Sequence, residues 1–414
     1  MRINGLSVSF TCLALCTHMA QAASLQSASV LEFGLDDTLF VADSAAGMIH
    51  AVDLPDVGSP PSEDAPYNLL DLDGAVIDAL GAERGTIVYT DLAVHPVTRD
   101  AYIGLSARID GTLRTAIIAV QRDGSVAEVD LAALAPETFT LTDQADAAVS
   151  FWRDIPAPSL TVTDLDYVNG ELFVSGLSTG EFASTLRRVP FPFTDAASAT
   201  GIEIFHAAHG QTETRAPIRA MTVVDLDGAP TVVAAYTCTP LVTIPVGELA
   251  DGANISGKTI AELGYGNTPL DVISFAAQNM QGGTDQFVLV VNREMDADLI
   301  AYDALGAAAA GPGITSPVPY LGATSGVTTT PLPLSGVVHA VDQDTQFILA
   351  LRRNLDTGAM ELVSFRKGAF FRLSDFISEY NFPDYDYTDE QFAQQTRMFQ
   401  NILKTDECFP DQMR

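Results

Sequence analysis

Basic side chains are scarce in this chain. Its 414 residues include 21 lysines and arginines against 53 aspartates and glutamates, a formal net charge of −32 at pH 7. A surface of that sign repels phosphate backbones and anionic lipid, so nucleic acid and membrane partners are not expected. Long apolar runs are also missing. Beyond the first 22 residues no stretch reaches about 18 uninterrupted apolar residues, the length a spanning helix needs, and no membrane insertion is expected. Cysteine occurs four times and tryptophan once. Cys-x-x-Cys and His-Glu-x-x-His are absent, which removes the usual sequence signals for a zinc ribbon and a zinc protease.

Residues 1–22 read as a signal peptide. Arg2 supplies the positive start, residues 6–16 the apolar centre, and Ala20-Gln21-Ala22 the small-x-small cleavage pattern. Leu13-Ala14-Leu15-Cys16 places a bulky leucine before the cysteine, a poor fit to a lipidation site. The expected location is periplasmic or secreted. Cys12 and Cys16 would leave with the leader. Cys238 and Cys408 would remain in an oxidising compartment, where a disulfide between them is the default.

What the chain does have is a recurring hairpin. Residues 161–175, TVTDLDYVNGELFVS, show apolar alternation, then Asn169-Gly170, then the apolar run Leu172-Phe173-Val174. Asn-Gly supplies the positive φ angles of a two-residue turn between antiparallel strands. Comparable units begin near residues 28, 90, 217, 269 and 335, each start about 50–70 residues after the last, the length of a four-stranded blade. This predicts an all-β fold, a β-propeller over residues 23–378 with six blades, or seven if residues 242–260 or 311–333 hold another. Residues 132–154 read as a surface insertion. Residues 379–414 form an acidic tail in which Thr388 and Gln391 make a capping box, and Phe392, Phe399, Ile402 and Leu403 share one face of a C-terminal amphipathic helix.

Laying the units together puts Leu31, Asp91, Asp164, Arg219, Asp271 and Gly336 at matching places near the start of each first strand. The innermost strands of a propeller line its channel, so these residues would ring the channel mouth. Asp91, Asp164, Arg219 and Asp271 are the candidate ligand-binding set.

Other chemistry is weighed against plainer readings. Asp-x-Asp pairs such as Asp71/Asp73, Asp164/Asp166, Asp225/Asp227, Asp342/Asp344 and Asp384/Asp386 do not extend into a full calcium loop, and turns explain them. His206 and His209 stand three apart; with Cys238 or His95 they would make a soft site for copper or zinc, the plainer alternative being two unliganded loop histidines. Cys238 is also a candidate nucleophile. The polar run 209–219 is either a loop across the channel mouth or a surface connection.

Residues 31–43, LEFGLDDTLFVAD, followed by Asp53-Leu54, resemble the superfamily of six-bladed propellers that includes the gluconolactonase-like, NHL and YWTD groups. For lactonase-like members the resemblance implies one divalent cation, usually calcium, held at the channel mouth by Glu, Asn and Asp. Asp91, Asp164 and Asp271 would stand in, while the family's asparagine positions are unmatched. The residues a quinone-cofactor propeller would need are not seen. Three functions follow: a binding or scaffold protein holding a small molecule or a periplasmic protein at the channel mouth, a calcium-dependent lactonase or esterase-type hydrolase, and a copper or zinc oxidoreductase.

Overall fold

The hairpin at Asn169-Gly170 forms as its residues dictate. Strands Asp164–Val168 and Glu171–Leu177 pair with Val168 opposite Glu171, and Asn169 and Gly170 take φ of +53° and +86°. The same turn recurs at Asp227-Gly228, with φ of +55° and +84°, between Ile218–Leu226 and Ala229–Tyr236. These observations come from a computed structural model that describes residues 25–372, apart from 36, 56–57, 152–153 and 280, together with 375, 393–394 and 397. The expected leader, Cys408 and the expected C-terminal helix, apart from residues 393–394 and 397, lie outside the described residues.

Among the described residues six antiparallel units of four strands form a β-propeller. The inner strands, in chain order, are Val30–Phe33, Val88–Val94, Asp164–Val168, Ile218–Leu226, Pro269–Gln278 and Val337–Asp342. Apolar seams show how they are arranged, because alternate side chains of a strand face opposite neighbours. Leu31, Leu39 and Val41 of blade 1 pack on Ala93, Tyr102 and Ile117 of blade 2. Val30, Phe40 and Ala42, one residue out of phase, pack on Leu165, Leu172 and Val174 of blade 3. Further seams join blades 3 and 4, 4 and 5, 5 and 6, and 6 and 2. Around the axis the blades therefore run 2, 1, 3, 4, 5, 6 and back to 2, with the first two exchanged relative to chain order.

The exchange depends on two crossings. After blade 1 the chain passes to blade 6, where Asn68–Leu69 pairs as its outer strand with Met360–Arg366. It then returns through the helix Leu72–Leu80 into blade 2, and Glu137–Thr140 comes back to complete blade 1 beside Met48–Asp53. Residues 132–154 thus contribute a blade strand, which corrects their reading as a surface insertion.

The helix Leu72–Leu80 was also unread in the sequence. Asp71 is a helix cap and not the turn residue its Asp-x-Asp pattern suggests: its Oδ1 accepts the Gly74 N–H at 2.8 Å. Leu72 and Val76 bury against the seam of blades 2 and 6. A second unread helix, Tyr302–Ala310, buries Leu305 in the seam of blades 4 and 5. Residues 242–260 and 311–333, the places considered for a seventh blade, supply strands to blades 4 and 5 instead. No helix among the described residues is long and apolar enough to cross a membrane.

Blades 3 and 4 share one more feature. Their outer strands, Ser198–His206 and Asn254–Glu262, pair in parallel and fuse the two blades into one continuous sheet. This places His206 and Glu262 at neighbouring strand ends, on the outer side of the ring.

Candidate functional site

The inner strand of every blade has a free edge, whose backbone N–H and C=O groups need partners away from its own sheet. Thr-Asp pairs supply them across the channel seams. Thr90 Oγ1 donates to Ala28 O at 2.5 Å and Asp91 Oδ2 accepts the Leu31 N–H at 2.6 Å. Thr163 Oγ1 donates to Ile218 O at 2.6 Å and Asp164 Oδ2 accepts the Met221 N–H at 2.6 Å. Asp271 Oδ2 takes the Ala340 N–H at 2.9 Å in the same way. Each carboxylate is fixed by the next blade; the second oxygens of Asp164 and Asp271 accept the N–H groups of Leu165 and Val272 at 2.9 and 2.8 Å, and that of Asp91 faces His339.

Bulges aim these residues. The pairing register shifts by one residue between Tyr89 and Asp91, Ile218 and Ala220, Pro269 and Asp271, and Val337 and His339. An extra residue in one strand re-aims the side chains around it. Asp91, Asp271 and His339 follow their bulges, whereas Arg219 is the bulged residue itself. With Asp164 they line one polar cavity of about 280 Å³, shared with Ser29, Ser159 and Thr163.

Its charges are arranged unequally. His339 Nδ1 lies 3.3 Å from Asp91 Oδ1 and 3.7 Å from Asp271 Oδ2. Burial works against its charge, but bonding to Asp271 and Asp91 outweighs this and its pKa is pushed up to about 9. Burial raises Asp91, although His339 offsets part of the rise. Burial and the charges of Asp271 and Asp91 hold Asp164 well above the ordinary carboxylate range. Below them, Glu32 accepts the Tyr167 N–H and Asp166 the Val223 N–H. Burial lifts both, Asp166 to about 6. Arg219 differs from all of these: burial lowers its pKa from the usual value, and its guanidinium has no hydrogen bond or ion pair with any described residue.

A second cluster lies at the fused edge of blades 3 and 4. Nδ1 of His206 and of His209 meet the two oxygens of Glu213 at 3.1 and 2.7 Å, and the rings lie 3.7 Å apart. Cys238, in the turn between Ala229–Tyr236 and Pro240–Pro245, has φ of +81°. One donor atom from each of His206, His209 and Cys238 lies within 4.8 Å of the others. Burial raises the Cys238 thiol. Burial also pushes Glu213 upward, but hydrogen bonds with His209, Gln211 and His206 prevail and hold it below its ordinary value.

The residues singled out in the sequence thus fall into two separate places. Asp91, Asp164, Arg219 and Asp271 surround the channel cavity. His206, His209 and Cys238 form the outer cluster, while His95, offered as their alternative partner, is buried in blade 2 with Nδ1 accepting the N–H groups of Val97 and Thr98. Within the 209–219 run, Gln211–Glu213 pairs with Ser198–His206 at the outer sheet and does not cross the channel mouth. Leu31 enters the ring through its backbone N–H, its side chain being buried. Gly336 takes no part in the ring; His339 holds that position.

The calcium site implied by the resemblance does not fit this ring. Calcium takes six to eight oxygens. Here both oxygens of Asp164 and of Asp271 and one of Asp91 accept backbone N–H groups, and the His339 imidazolium already sits between Asp91 and Asp271.

No family model matches the sequence, and no curated protein matches it. Among solved structures the chain is similar to β-propeller proteins. Virginiamycin B lyase from Staphylococcus aureus shares 7% identity over 82% of this chain and 95% of that one, with a TM-score of 0.33. Extracellular domains 1–2 of Drosophila semaphorin 1b share 10% over 84% and 86%, with a TM-score of 0.33. A glucose dehydrogenase shares 11% over 83% and 98%, with a TM-score of 0.32. Likeness at this level carries no argument about ligand or reaction, and the propeller stands on its own sheets and seams.

Proposed function

We propose that this protein is an exported binding module that holds a small anionic or zwitterionic molecule at the mouth of its channel. The unpaired Arg219 guanidinium carries the reading. A half-buried cation without a partner among the described residues, beside Asp91, Asp164 and Asp271, can form a charge-assisted, bidentate bond with a carboxylate or phosphate group. Asp164 would receive an ammonium or hydroxyl group on the same ligand. A cavity of about 280 Å³ suits a metabolite rather than a peptide strand. The carboxylates are pre-aimed by the backbone bonds of neighbouring blades, so little ordering is lost on binding.

The test is calorimetric titration of the mature protein with a panel of small organic acids, amino acids and sugar phosphates, matched by neutral analogues. Ligands with an anionic group are expected to bind, and Arg219→Gln to weaken them at least tenfold with the fold unchanged. Equal binding of the neutral analogues, or an Arg219→Gln variant that binds as the parent does, would overturn the reading.

A further inference from the structure

We propose that His206, His209 and Cys238 form a site for one thiophilic transition ion, copper or zinc, on the outer edge of blades 3 and 4. Imidazole nitrogen and thiolate sulfur are the donor types both ions take. Three donor atoms lie within 4.8 Å of one another, so a central point is within about 2.8 Å of all three; closing to the 2.0–2.3 Å of a formed site needs only side-chain adjustment.

The hydrogen bonding prepares both rings for the task. Glu213 receives Nδ1–H from each histidine, one on each of its oxygens, which fixes both in the tautomer with a bare Nε2. A carboxylate behind a ligating imidazole is the usual outer support of such sites. His206 is 1% exposed, and its Nε2 faces two oxygens, Thr239 Oγ1 at 3.4 Å and Glu262 Oε2 at 3.9 Å. That hydroxyl gives its proton to Glu262 Oε2, and the other Glu262 oxygen is taken by the N–H groups of Ala207 and Ala208. The buried Nε2 lone pair is therefore left without a donor, and a cation would satisfy it.

The fourth position opens to a cavity of about 280 Å³ lined by Glu262, Tyr265, Val318 and Tyr320. Tyr320 lies over His209, with centroids 6.3 Å apart, and Tyr265 meets Tyr320 edge-on. Three protein ligands and one open place leave room for water or an exogenous ligand on the ion. The site requires Cys238 as a thiolate and so excludes the Cys238–Cys408 disulfide expected from the sequence.

The full chain, purified after export and with reductant, would be dialysed against zinc(II) or copper(I) and its metal content measured; cobalt(II) serves as the optical probe. One ion per chain is expected, with a thiolate-to-cobalt charge-transfer band and slowed alkylation of Cys238 in the loaded protein. His209→Ala, at a surface position, should keep the parent melting temperature and weaken binding at least tenfold; Cys238→Ser should abolish the band. Competition between the ions identifies the preferred one, copper(I) being favoured by the soft thiolate. Metal retention unchanged in His209→Ala, no ion bound, or Cys238 and Cys408 joined in the exported protein would each overturn the proposal.

Discussion

His339 Nδ1 and Asp91 Oδ1 meet at 3.3 Å across the seam where the last blade closes on the second. The pair joins residues far apart in the chain and sits at the centre of the candidate binding cavity. It also makes closure of the ring dependent on pH. A folded pKa of about 9 against an ordinary 6.5 means that the folded state holds this proton more tightly. The stabilisation is fully present below about pH 6.5 and is lost as pH rises through about 9. For a shift of this size it is about 3 kcal/mol. His339→Gln should therefore melt well below the parent at pH 6, and the two curves should converge by about pH 9.5. A melting difference that stays constant from pH 6 to 9.5 would show that the imidazolium is not what matters.

Asp166 presents the opposite balance. Burial lifts its carboxyl from 3.8 to about 6, so the folded state binds this proton more tightly than the unfolded chain. The cost of ionising it in place appears as pH rises from about 4 to about 6 and is constant above. Asp166→Asn keeps an oxygen for the Val223 N–H and removes that cost. Denaturant titration should show a gain of up to about 3 kcal/mol at pH 7.5 that vanishes near pH 3.5. A variant less stable than the parent at pH 7.5 would mean that the charge itself is being used.

Much of this arrangement can be read from residue order, and what cannot has identifiable causes. Asn169-Gly170 and Asp227-Gly228 mark hairpins because only residues tolerant of positive φ serve there. The recurrence of Thr-Asp-Leu at residues 90–92 and 163–165 brings Asp91 and Asp164 into the same ring. Blade order is another matter. No local signal says that Asn68–Leu69 pairs with Met360–Arg366 rather than with its own neighbours, since two residues of backbone pairing carry no side-chain pattern. Bulges are similarly silent: nothing local in the sequence marks the shifts before Asp91, Asp271 and His339. The outer cluster was half visible: His206 and His209 stand out by spacing, whereas Glu213, which orients both, looks like any surface acid.

Gly336 carries a structural burden of its own. Its φ is +76°, and a Cβ there would lie 2.2 Å from Arg353 O, the backbone of the neighbouring strand of blade 6. Arg353 N–H also donates to Gly336 O at 2.8 Å, so the two segments cannot separate without losing that bond. Gly336→Ala combines a disfavoured backbone angle with a clash against main chain, and a cost above roughly 2 kcal/mol is expected. Equilibrium denaturation checks it; a loss under about 0.5 kcal/mol would mean that the turn before blade 6 relaxes freely.

The exchanged order of blades 1 and 2 rests on Tyr67, which is 1% exposed at the point where the chain crosses onto blade 6. Its N–H donates to Ser364 Oγ at 2.7 Å, tying it to blade 6. Its hydroxyl accepts the Ala101 N–H at 3.1 Å and lies 3.0 Å from the carbonyls of Val120 and Arg99, tying it to blade 2. One residue thus bridges the two blades that the crossing brings together, its backbone bonded to blade 6 and its hydroxyl to blade 2. Tyr67→Phe keeps the ring packing in this seam but strands a buried N–H and a buried carbonyl, a loss of roughly 1–3 kcal/mol. Because the lost bonds lie at one seam, hydrogen exchange should quicken first at Ala101 and in Phe347–Arg353 and Met360–Arg366, with blades 3 and 4 unaffected. Uniform quickening around the ring would show that closure is held elsewhere and that Tyr67 only fills space.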